Sequence, residues 1–241
     1  VLAPLNKIGD EIGCSFDKAT GDVTPPPGFK QAFDTFVEGC WTGLTNAPEH
    51  GGQGMPALLG GVLTELVDSA NLAWGNFPML SHGAVKALET YGETWQQEVF
   101  LKPLVSGQWT GTMCLTEPHC GTDLGLLKTR AEPQADGTYA VTGTKIFITA
   151  GEHDLVPNII HLVLAKLPDA PPGAKGISLF VVPKFKVARD GSVGARNAVR
   201  CGAIEHKMGI HGSATCVMNF DGAEGYLLGE PHKGLQAMFV M

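Results

Sequence analysis

The sequence predicts an α+β protein in which an N-terminal helical bundle, over residues 1–108, precedes an antiparallel β-barrel or β-sandwich domain over residues 109–230. In the first part, apolar residues recur at three- and four-residue steps, the period of a helix that is buried on one face. From Trp109 onward, β-rich runs alternate with turn residues. The tail Leu235–Met241 is apolar, so residues 231–241 are predicted to be the start of a C-terminal helical domain, the rest of which we expect to be absent from this chain.

Four helices are predicted in the first part, because each has an apolar face and a recognisable boundary. Pro56 stands where a first helical turn begins, a position that proline favours. Thr94 is the predicted N-cap of the last helix, and Gly92 ends the helix before it. The predicted helices span Phe29–Val37, Ala57–Trp74, Pro78–Tyr91 and Thr94–Pro103.

Six strands are predicted in the second part, from runs rich in β-branched and aromatic residues. Asp136-Gly137 separates two of these runs and is a strong hairpin signal. No helical pattern intervenes between the runs, which favours an antiparallel arrangement. The predicted strands span Trp109–Leu115, Leu126–Glu132, Tyr139–Ile148, Ile159–Leu167, Ile177–Val182 and Thr215–Phe220.

Composition excludes several classes of protein. The formal net charge is −7 and no run of Lys or Arg occurs, which argues against a nucleic-acid partner. No apolar run approaches the roughly 20 residues that a transmembrane helix needs, and no signal peptide is visible. The six cysteines are scattered without a CxxC pair, which predicts free thiols and a cytoplasmic location. Cys114, His119 and Cys120 lack a fourth ligand at plausible spacing, so no metal site is predicted.

Two segments are candidates for binding a flat cofactor with a polar edge, such as a flavin. In Met113–Asp123 and Lys145–Gly151, an apolar strand ends in Thr116 or Thr149 and a turn follows. A hydroxyl donor near a flavin edge favours reduction, because reduction places negative charge there. Phe147 is expected on the same strand face as Thr149, where its ring could stack on the same ligand.

Gly121-Thr122 is the expected turn at which backbone closely approaches a phosphate. Taken singly, each of these residues is better explained as an ordinary strand threonine or turn glycine. The combination is more specific than its parts. Thr116-Glu-Pro, Gly121-Thr-Asp and then Lys145-Ile-Phe-Ile-Thr resemble the paired signatures of the acyl-CoA dehydrogenase family.

Four flanking segments resemble the same family in the same order, so the resemblance covers nearly the whole chain. They are Pro48–Gly54, Leu101–Trp109, Glu205–Thr215 and Leu228–Gly234. Within the family, Gly151–Asp154 and Gly209–Gly212 are similar to the branch typified by 3-methylmercaptopropionyl-CoA dehydrogenase.

The resemblance implies an FAD enzyme that oxidises an acyl-CoA at Cα–Cβ and passes electrons to an electron-transfer flavoprotein. It also implies a dimer or tetramer, and it places Thr122 near the acyl-CoA substrate as well as the flavin. The implied flavin contacts are Met113, Leu115, Thr116, Gly121, Thr122, Phe147, Ile148 and Thr149.

Several positions depart from the family pattern. Phe147 stands where many members have Trp, and Ala150 where Asn or Gly is frequent. Thr122 replaces Ser, and His119-Cys120 replaces a smaller pair. His211 stands where many members carry Arg, so a fixed positive charge becomes a titratable one.

No catalytic residue is predicted in these 241 residues. The family's base is a carboxylate of the C-terminal helical domain. Glu117 is interpreted as structural, paired with Lys or Arg, and Glu152, His153 and Asp154 as a loop-anchoring set. The fragment is expected to bind FAD weakly or not at all, because it offers only part of one wall of the site, and the resemblance implies that a third domain and a neighbouring subunit complete it. An oxidase that uses O₂ and a non-catalytic binding protein of the same fold remain the alternatives.

Overall fold

The computed structural model describes residues 1–241, with mainly helices in the first part and mainly strands in the second. The helices are α1 (Leu2–Ile12), α2 (Phe29–Glu38), α3 (Ala57–Tyr91), α4 (Thr94–Val105) and α5 (Gly234–Met238). The strands are β1 (Ser15–Phe16), β2 (Val23–Thr24), β3 (Trp109–Cys114), β4 (Arg130–Pro133), β5 (Tyr139–Thr149), β6 (Asn158–Lys166), β7 (Ile177–Pro183), β8 (Phe185–Val187), β9 (Val193–Arg196), β10 (Val199–Ile204) and β11 (Thr215–Leu228). No helix combines the length and the apolar character that crossing a membrane requires.

The two central helices predicted separately form one element, α3, with an internal break. Asn71 has non-helical backbone angles (φ −164°, ψ 88°), and its Oδ1 accepts a hydrogen bond from the amide of Trp74 at 3.0 Å. Asn71 thus caps the second half of α3, so the chain bends there and not at Pro78. The predicted cap at Thr94 is wrong by one residue, because Glu93 is the N-cap of α4 and exchanges hydrogen bonds with Gln96. Helix α1 was not predicted.

The predicted antiparallel barrel or sandwich is wrong in one respect, since the main sheet is mixed. Its seven strands follow the order β10-β11-β5-β4-β6-β3, and β7 pairs with both β11 and β6. Strands β3 and β6 are parallel over six residue pairs, from Trp109–Asn158 to Cys114–Val163. Parallel neighbours need a long crossover, which β4 and β5 supply here. The prediction missed the parallel pair because it treated consecutive strands as hairpins.

The predicted hairpin agrees with the structure better than the predicted strand boundaries do. The hairpin predicted at Asp136-Gly137 is confirmed: Gly137 has φ of 83° and joins the antiparallel strands β4 and β5. The predicted strand Leu126–Glu132 is mostly a loop, and β4 begins only at Arg130. Strand β10 was not predicted, because its alternating Arg and Gly residues weaken the apolar pattern.

The helices and the sheet share one hydrophobic core, so the candidate site is held by both. One cluster of 26 buried residues includes Phe29, Trp74 and Phe77 from the helices and Val163 and Phe180 from the strands. Burial of such aromatic side chains stabilises a fold by roughly 1.5–3 kcal/mol each. The domain limits at residues 108 and 230 stay a prediction. The apolar tail does form a short helix, α5, as predicted.

Candidate cofactor site

The first candidate segment is a tight turn at the end of β3. Glu117 and Cys120 exchange backbone hydrogen bonds at 2.8 and 3.1 Å, so the chain reverses over Pro118 and His119. This reversal brings Gly121 beside Thr116: a Cβ at Gly121 would lie 3.3 Å from Thr116 Cγ2. The glycine therefore keeps the surface next to the Thr116 side chain open.

The second candidate segment is a β-bulge near the end of β5. Lys145 pairs with Met218 and Ile148 with Cys216, so Ile146 and Phe147 together face a single residue of β11. Phe147 has φ of 60°, a left-handed conformation that is uncommon for an aromatic residue, and is 58% exposed. The bulge turns the Phe147 ring to the surface, where it is free to contact a ligand.

A direct hydrogen bond joins the two segments. The amide of Ile146 donates to the carbonyl of Thr116 at 2.8 Å, and Thr149 follows three residues later on β5. Three residues of strand span about 10 Å. The backbones of Thr116 and Thr149 therefore lie within roughly 15 Å of each other.

The predicted contacts differ in how they can face a ligand. Gly121, Thr122 and Phe147 are exposed. Ile148 is only 2% exposed, so its backbone alone is available, which corrects any reading of its side chain as a ligand contact. The side chains of intermediate exposure are Met113, Leu115, Thr116 and Thr149.

The role predicted for Glu117 is confirmed, because its carboxylate is buried in an ion pair. It is 3% exposed, and its Oε1 lies 2.9 Å from Lys145 Nζ, which also donates to the carbonyl of Leu115 at 3.1 Å. The amides of Lys128 and Thr129 donate to the same carboxylate at 2.8 and 3.0 Å. Glu117 and Lys145 thus tie the two segments together from behind the exposed surface.

The electrostatic setting keeps Glu117 ionised. Burial by itself would raise the pKa of this carboxyl, but the charge of Lys145 and hydrogen bonds from Thr129, Lys145 and Lys128 lower the pKa to about 2. A carboxylate held in this way is a poor base, because its proton affinity is low and its oxygens are occupied.

The loop-anchoring role predicted after the second segment is confirmed for Glu152 and His153. Glu152 binds Lys184 through Oε1 and Arg196 through Oε2, the latter at 2.8 Å. His153 Nε2 lies 3.1 Å from Thr110 Oγ1, and burial lowers the pKa of His153 to about 3, so the ring is neutral. Asp154 is exposed.

Three potential metal ligands do converge beside the first segment. Side-chain ligand atoms of Glu117, His119 and Cys120 lie within 4.8 Å of one another. The Lys145 ammonium, 2.9 Å from Glu117, would repel a cation there. Cys114 belongs to a different cluster, since it is buried 3.6 Å from Thr112 Oγ1. The arrangement favours an ion-pair role for Glu117 over metal ligation.

Sequence reasoning missed the basic residues that organise the site. Lys145 directly precedes the apolar run Ile146–Ile148 and shares the inward alternation of Val141, and that was a usable signal for a buried pair. Lys184 and Arg196 gave no such signal, because their contacts with Glu152 join residues more than thirty positions apart.

The sequence and the fold of this chain are both similar to those of known proteins. The family description "Acyl-CoA dehydrogenase, middle domain" matches residues 112–223. The chain is 48% identical over 241 residues to 3-methylmercaptopropionyl-CoA dehydrogenase of Ruegeria pomeroyi, covering all of this chain and 41% of that protein. It is similar to a solved structure described as electron transferring flavoprotein of Acidaminococcus fermentans, with 25% identity and a TM-score of 0.79, covering 99% of this chain and 56% of that one.

A second solved structure, of an acyl-CoA dehydrogenase complexed with FAD from Bacillus anthracis, is 26% identical with a TM-score of 0.69, covering 88% of this chain and 33% of that one. The chain spans less than half the length of the curated relative it matches at 48% identity. The match of residues 112–223 contains both candidate cofactor segments, and the resemblance inferred from their motifs is confirmed. The chain belongs to the acyl-CoA dehydrogenase family.

Proposed function

We propose that this chain is part of an FAD-dependent acyl-CoA dehydrogenase, an oxidoreductase that removes two hydrogens from Cα and Cβ of an acyl-CoA thioester. The observation that carries the proposal is the hydrogen bond between Ile146 and Thr116, because it joins the two candidate segments side by side into one surface. That surface presents an exposed aromatic ring, two hydroxyls and an open glycine, the groups that a flat cofactor with a polar edge requires.

Each group has a distinct role in holding the cofactor. The Phe147 ring stacks on the flavin plane, and Thr116 and Thr149 donate hydrogen bonds to its polar edge. Gly121 and Thr122 admit the close approach of a phosphate or of the thioester's pantetheine portion. FAD, when bound, supplies the acceptor for the hydride that leaves Cβ. Met113, Leu115 and Ile148 support this surface with apolar contact or backbone.

The base that removes the α-proton is proposed to lie outside these 241 residues. Glu117 is engaged with Lys145, and Glu152 with Lys184 and Arg196, so neither carboxylate is free to take a proton. The curated relative is more than twice as long as this chain, which leaves room for the base and for the opposite wall of the site. We propose that this chain alone binds FAD weakly or not at all.

The physiological setting follows from the same proposal. The electron acceptor is an electron-transfer flavoprotein, consistent with the likeness to a solved structure described by that name. The enzyme assembles as a dimer or tetramer. All six cysteines are free, which supports a reducing, cytoplasmic location.

The proposal is tested in the full protein by replacing Thr116 and Thr149 with Val. Each substitution removes one hydroxyl donor with little change in volume, and should weaken FAD binding about three- to tenfold. FAD affinity is measured by quenching of flavin fluorescence. Thr144→Val is the matched control on the same strand, because the Thr144 hydroxyl contacts Asn219 away from the site.

Two results would contradict the proposal. One is a full protein that stays colourless after incubation with FAD, and the other is unchanged FAD affinity in both threonine variants. Reduction of an electron-transfer flavoprotein during turnover supports the dehydrogenase, whereas stoichiometric peroxide would make the enzyme an oxidase.

A further inference from the structure

Helix α1 is joined to the candidate cofactor site by a single loop, residues 205–214, which connects β10 to β11. The loop touches α1 at one end, where the amide of Cys14 donates to the carbonyl of His211 at 3.2 Å. It touches the second cofactor segment at the other end, where the amide of Ala150 donates to the carbonyl of Ala214 at 2.7 Å. Ala150 directly follows Thr149, so the loop lies between α1 and the proposed FAD contact.

The His211 ring lies between acceptors on two sides at the α1 end of the loop, two oxygens of Asp10 and the carbonyl oxygen of Lys207. Nδ1 is 3.0 Å from the backbone carbonyl oxygen of Asp10 and 2.8 Å from its carboxylate Oδ1. Nε2 is 2.8 Å from the carbonyl oxygen of Lys207. A carbonyl oxygen can only accept a hydrogen bond, so both ring nitrogens have to be donors.

Only the imidazolium form of histidine has two N–H donors. In the neutral form, one ring nitrogen would direct its lone pair at a carbonyl oxygen less than about 3 Å away, and that hydrogen bond would be lost. The arrangement therefore selects the protonated ring. Within the loop, His211 is the residue whose side chain hydrogen-bonds to α1, through Nδ1 and Asp10, while Nε2 binds the loop's own Lys207 carbonyl.

We propose that protonated His211 is a positioning residue for the candidate cofactor site: it fastens α1 to the 205–214 loop, and through Ala214 the loop fixes Thr149 and Ala150. This inference rests on the proposed FAD site, since positioning matters only if Thr149 meets the cofactor. Asn76 supports the same loop from α3 by donating to Ser213 Oγ at 3.2 Å, so the loop has a second, uncharged support.

The charged groups around the ring favour its protonation. Asp10 faces it from α1, and the Lys207 ammonium is directed away, to the carbonyl of Ser213 at 2.8 Å. Cys14, at the end of α1, is the other titratable neighbour; burial raises the pKa of its thiol to about 11, so it stays neutral. The carbonyls of Lys207 and Asp10, followed by the charge of Asp10, raise the pKa of His211 above its usual value.

Because the pKa of His211 is raised in the folded protein, the stability that this residue contributes decreases with rising pH. A histidine whose pKa is higher in the folded than in the unfolded protein contributes stability that is fully present below the unfolded pKa of about 6.5. The contribution is lost as the pH rises through the folded pKa. Helix α1 should therefore loosen as the pH rises above the ordinary histidine range and through the raised pKa of His211, and FAD binding should weaken with it.

The experiment compares the full protein with His211→Arg and His211→Gln from about pH 6 to about pH 9, a range that spans the ordinary histidine pKa. Arg supplies two donors at every pH, whereas Gln supplies donors from one nitrogen only. Hydrogen exchange of the α1 peptide, corrected for its intrinsic rate, reports fastening without any cofactor. FAD affinity in the same samples reports positioning. His206→Gln, at an exposed neighbour in the same loop, is the matched control.

We expect α1 protection and FAD affinity in the unsubstituted protein to match His211→Arg at low pH and to fall about three- to tenfold below it at high pH, the change that one charge-assisted hydrogen bond produces. His211→Gln should be low throughout, and His206→Gln should follow the unsubstituted protein. Protection that is equally pH-independent in the unsubstituted protein and His211→Arg overturns the fastening. Normal FAD affinity with a loosened α1 overturns the positioning role alone, and a protein that binds no FAD overturns it together with the proposed function.

Discussion

The two cofactor segments are held in place by different physical means. The first, from Met113 to Thr122, has ordinary backbone angles and is fixed by one buried carboxylate, Glu117. The second contains two left-handed residues, Phe147 (φ 60°) and Ala150 (φ 51°), and is anchored by Glu152. Glu117 ties the segments to each other, whereas Glu152 ties the second segment to Lys184, between β7 and β8, and to Arg196 at the end of β9.

The difference shows where each segment is vulnerable. The first depends on a pair of charges that water barely reaches, so losing one charge leaves the other without compensation. The second depends on its neighbours to hold a strained backbone, and Arg196 in its anchor is 34% exposed. Substitutions should therefore damage the first segment more than the second.

The largest effect is expected for Glu117→Ala. The substitution leaves the Lys145 ammonium buried without its partner, which should lower the free energy of unfolding by about 3–5 kcal/mol. Denaturant unfolding of the full protein measures the change. The control is the double variant Glu117→Leu with Lys145→Met, which removes both charges and should recover most of the loss. A double variant as unstable as Glu117→Ala would show that the ion pair is not the cause.

A smaller loss is expected for Glu152→Ala, about 1–3 kcal/mol, because only Lys184 is left largely buried and water can reach Arg196. The same unfolding measurement applies. Asp154→Ala, at an exposed carboxylate two residues away, should change stability by less than about 0.5 kcal/mol. If Glu152→Ala proves more harmful than Glu117→Ala, the contrast between the segments is wrong.

The smallest effect, and the only gain, is expected for Ala150→Gly. A left-handed alanine is strained by about 1–2 kcal/mol, and glycine removes that strain while losing more chain entropy on folding. The net result should be stabilisation of up to about 1 kcal/mol. Ala140→Gly, at an extended position of β5, the strand that ends just before Ala150, should instead destabilise the protein. A loss of stability in Ala150→Gly would show that the buried methyl group outweighs backbone strain.

Much of the candidate site follows from the sequence because its signals are local. The hydroxyl residues at two strand ends, the turn at Gly121 and the structural role of Glu117 are each readable within a few residues. The family pattern of Asn or Gly at position 150 also has a physical reason, since both residues tolerate the left-handed conformation that Ala150 adopts.

The features that could not be predicted from the sequence are contacts between residues far apart along the chain. The parallel pairing of β3 with β6, and the contact of Glu152 with Lys184 and Arg196, join segments far apart along the chain. The role of His211 is of the same kind, because its acceptors come from α1 and from Lys207. Periodicity and turn chemistry carry no information on such pairings.

The parallel pairing has a consequence for biosynthesis. In the sheet β3 pairs with β6 alone, a strand the ribosome makes later than β4 and β5, so β3 emerges with its hydrogen-bonding edge unmatched. The element already made is α3, and it fits closely: Ser81 Oγ accepts from the Gly111 amide at 3.0 Å, and a Cβ at Gly111 would come within 2.5 Å of Ala84 Cβ. Gly111 thus lets β3 pack directly on α3, which precedes it in the chain, so we expect this contact to be available to β3 before β6 is made.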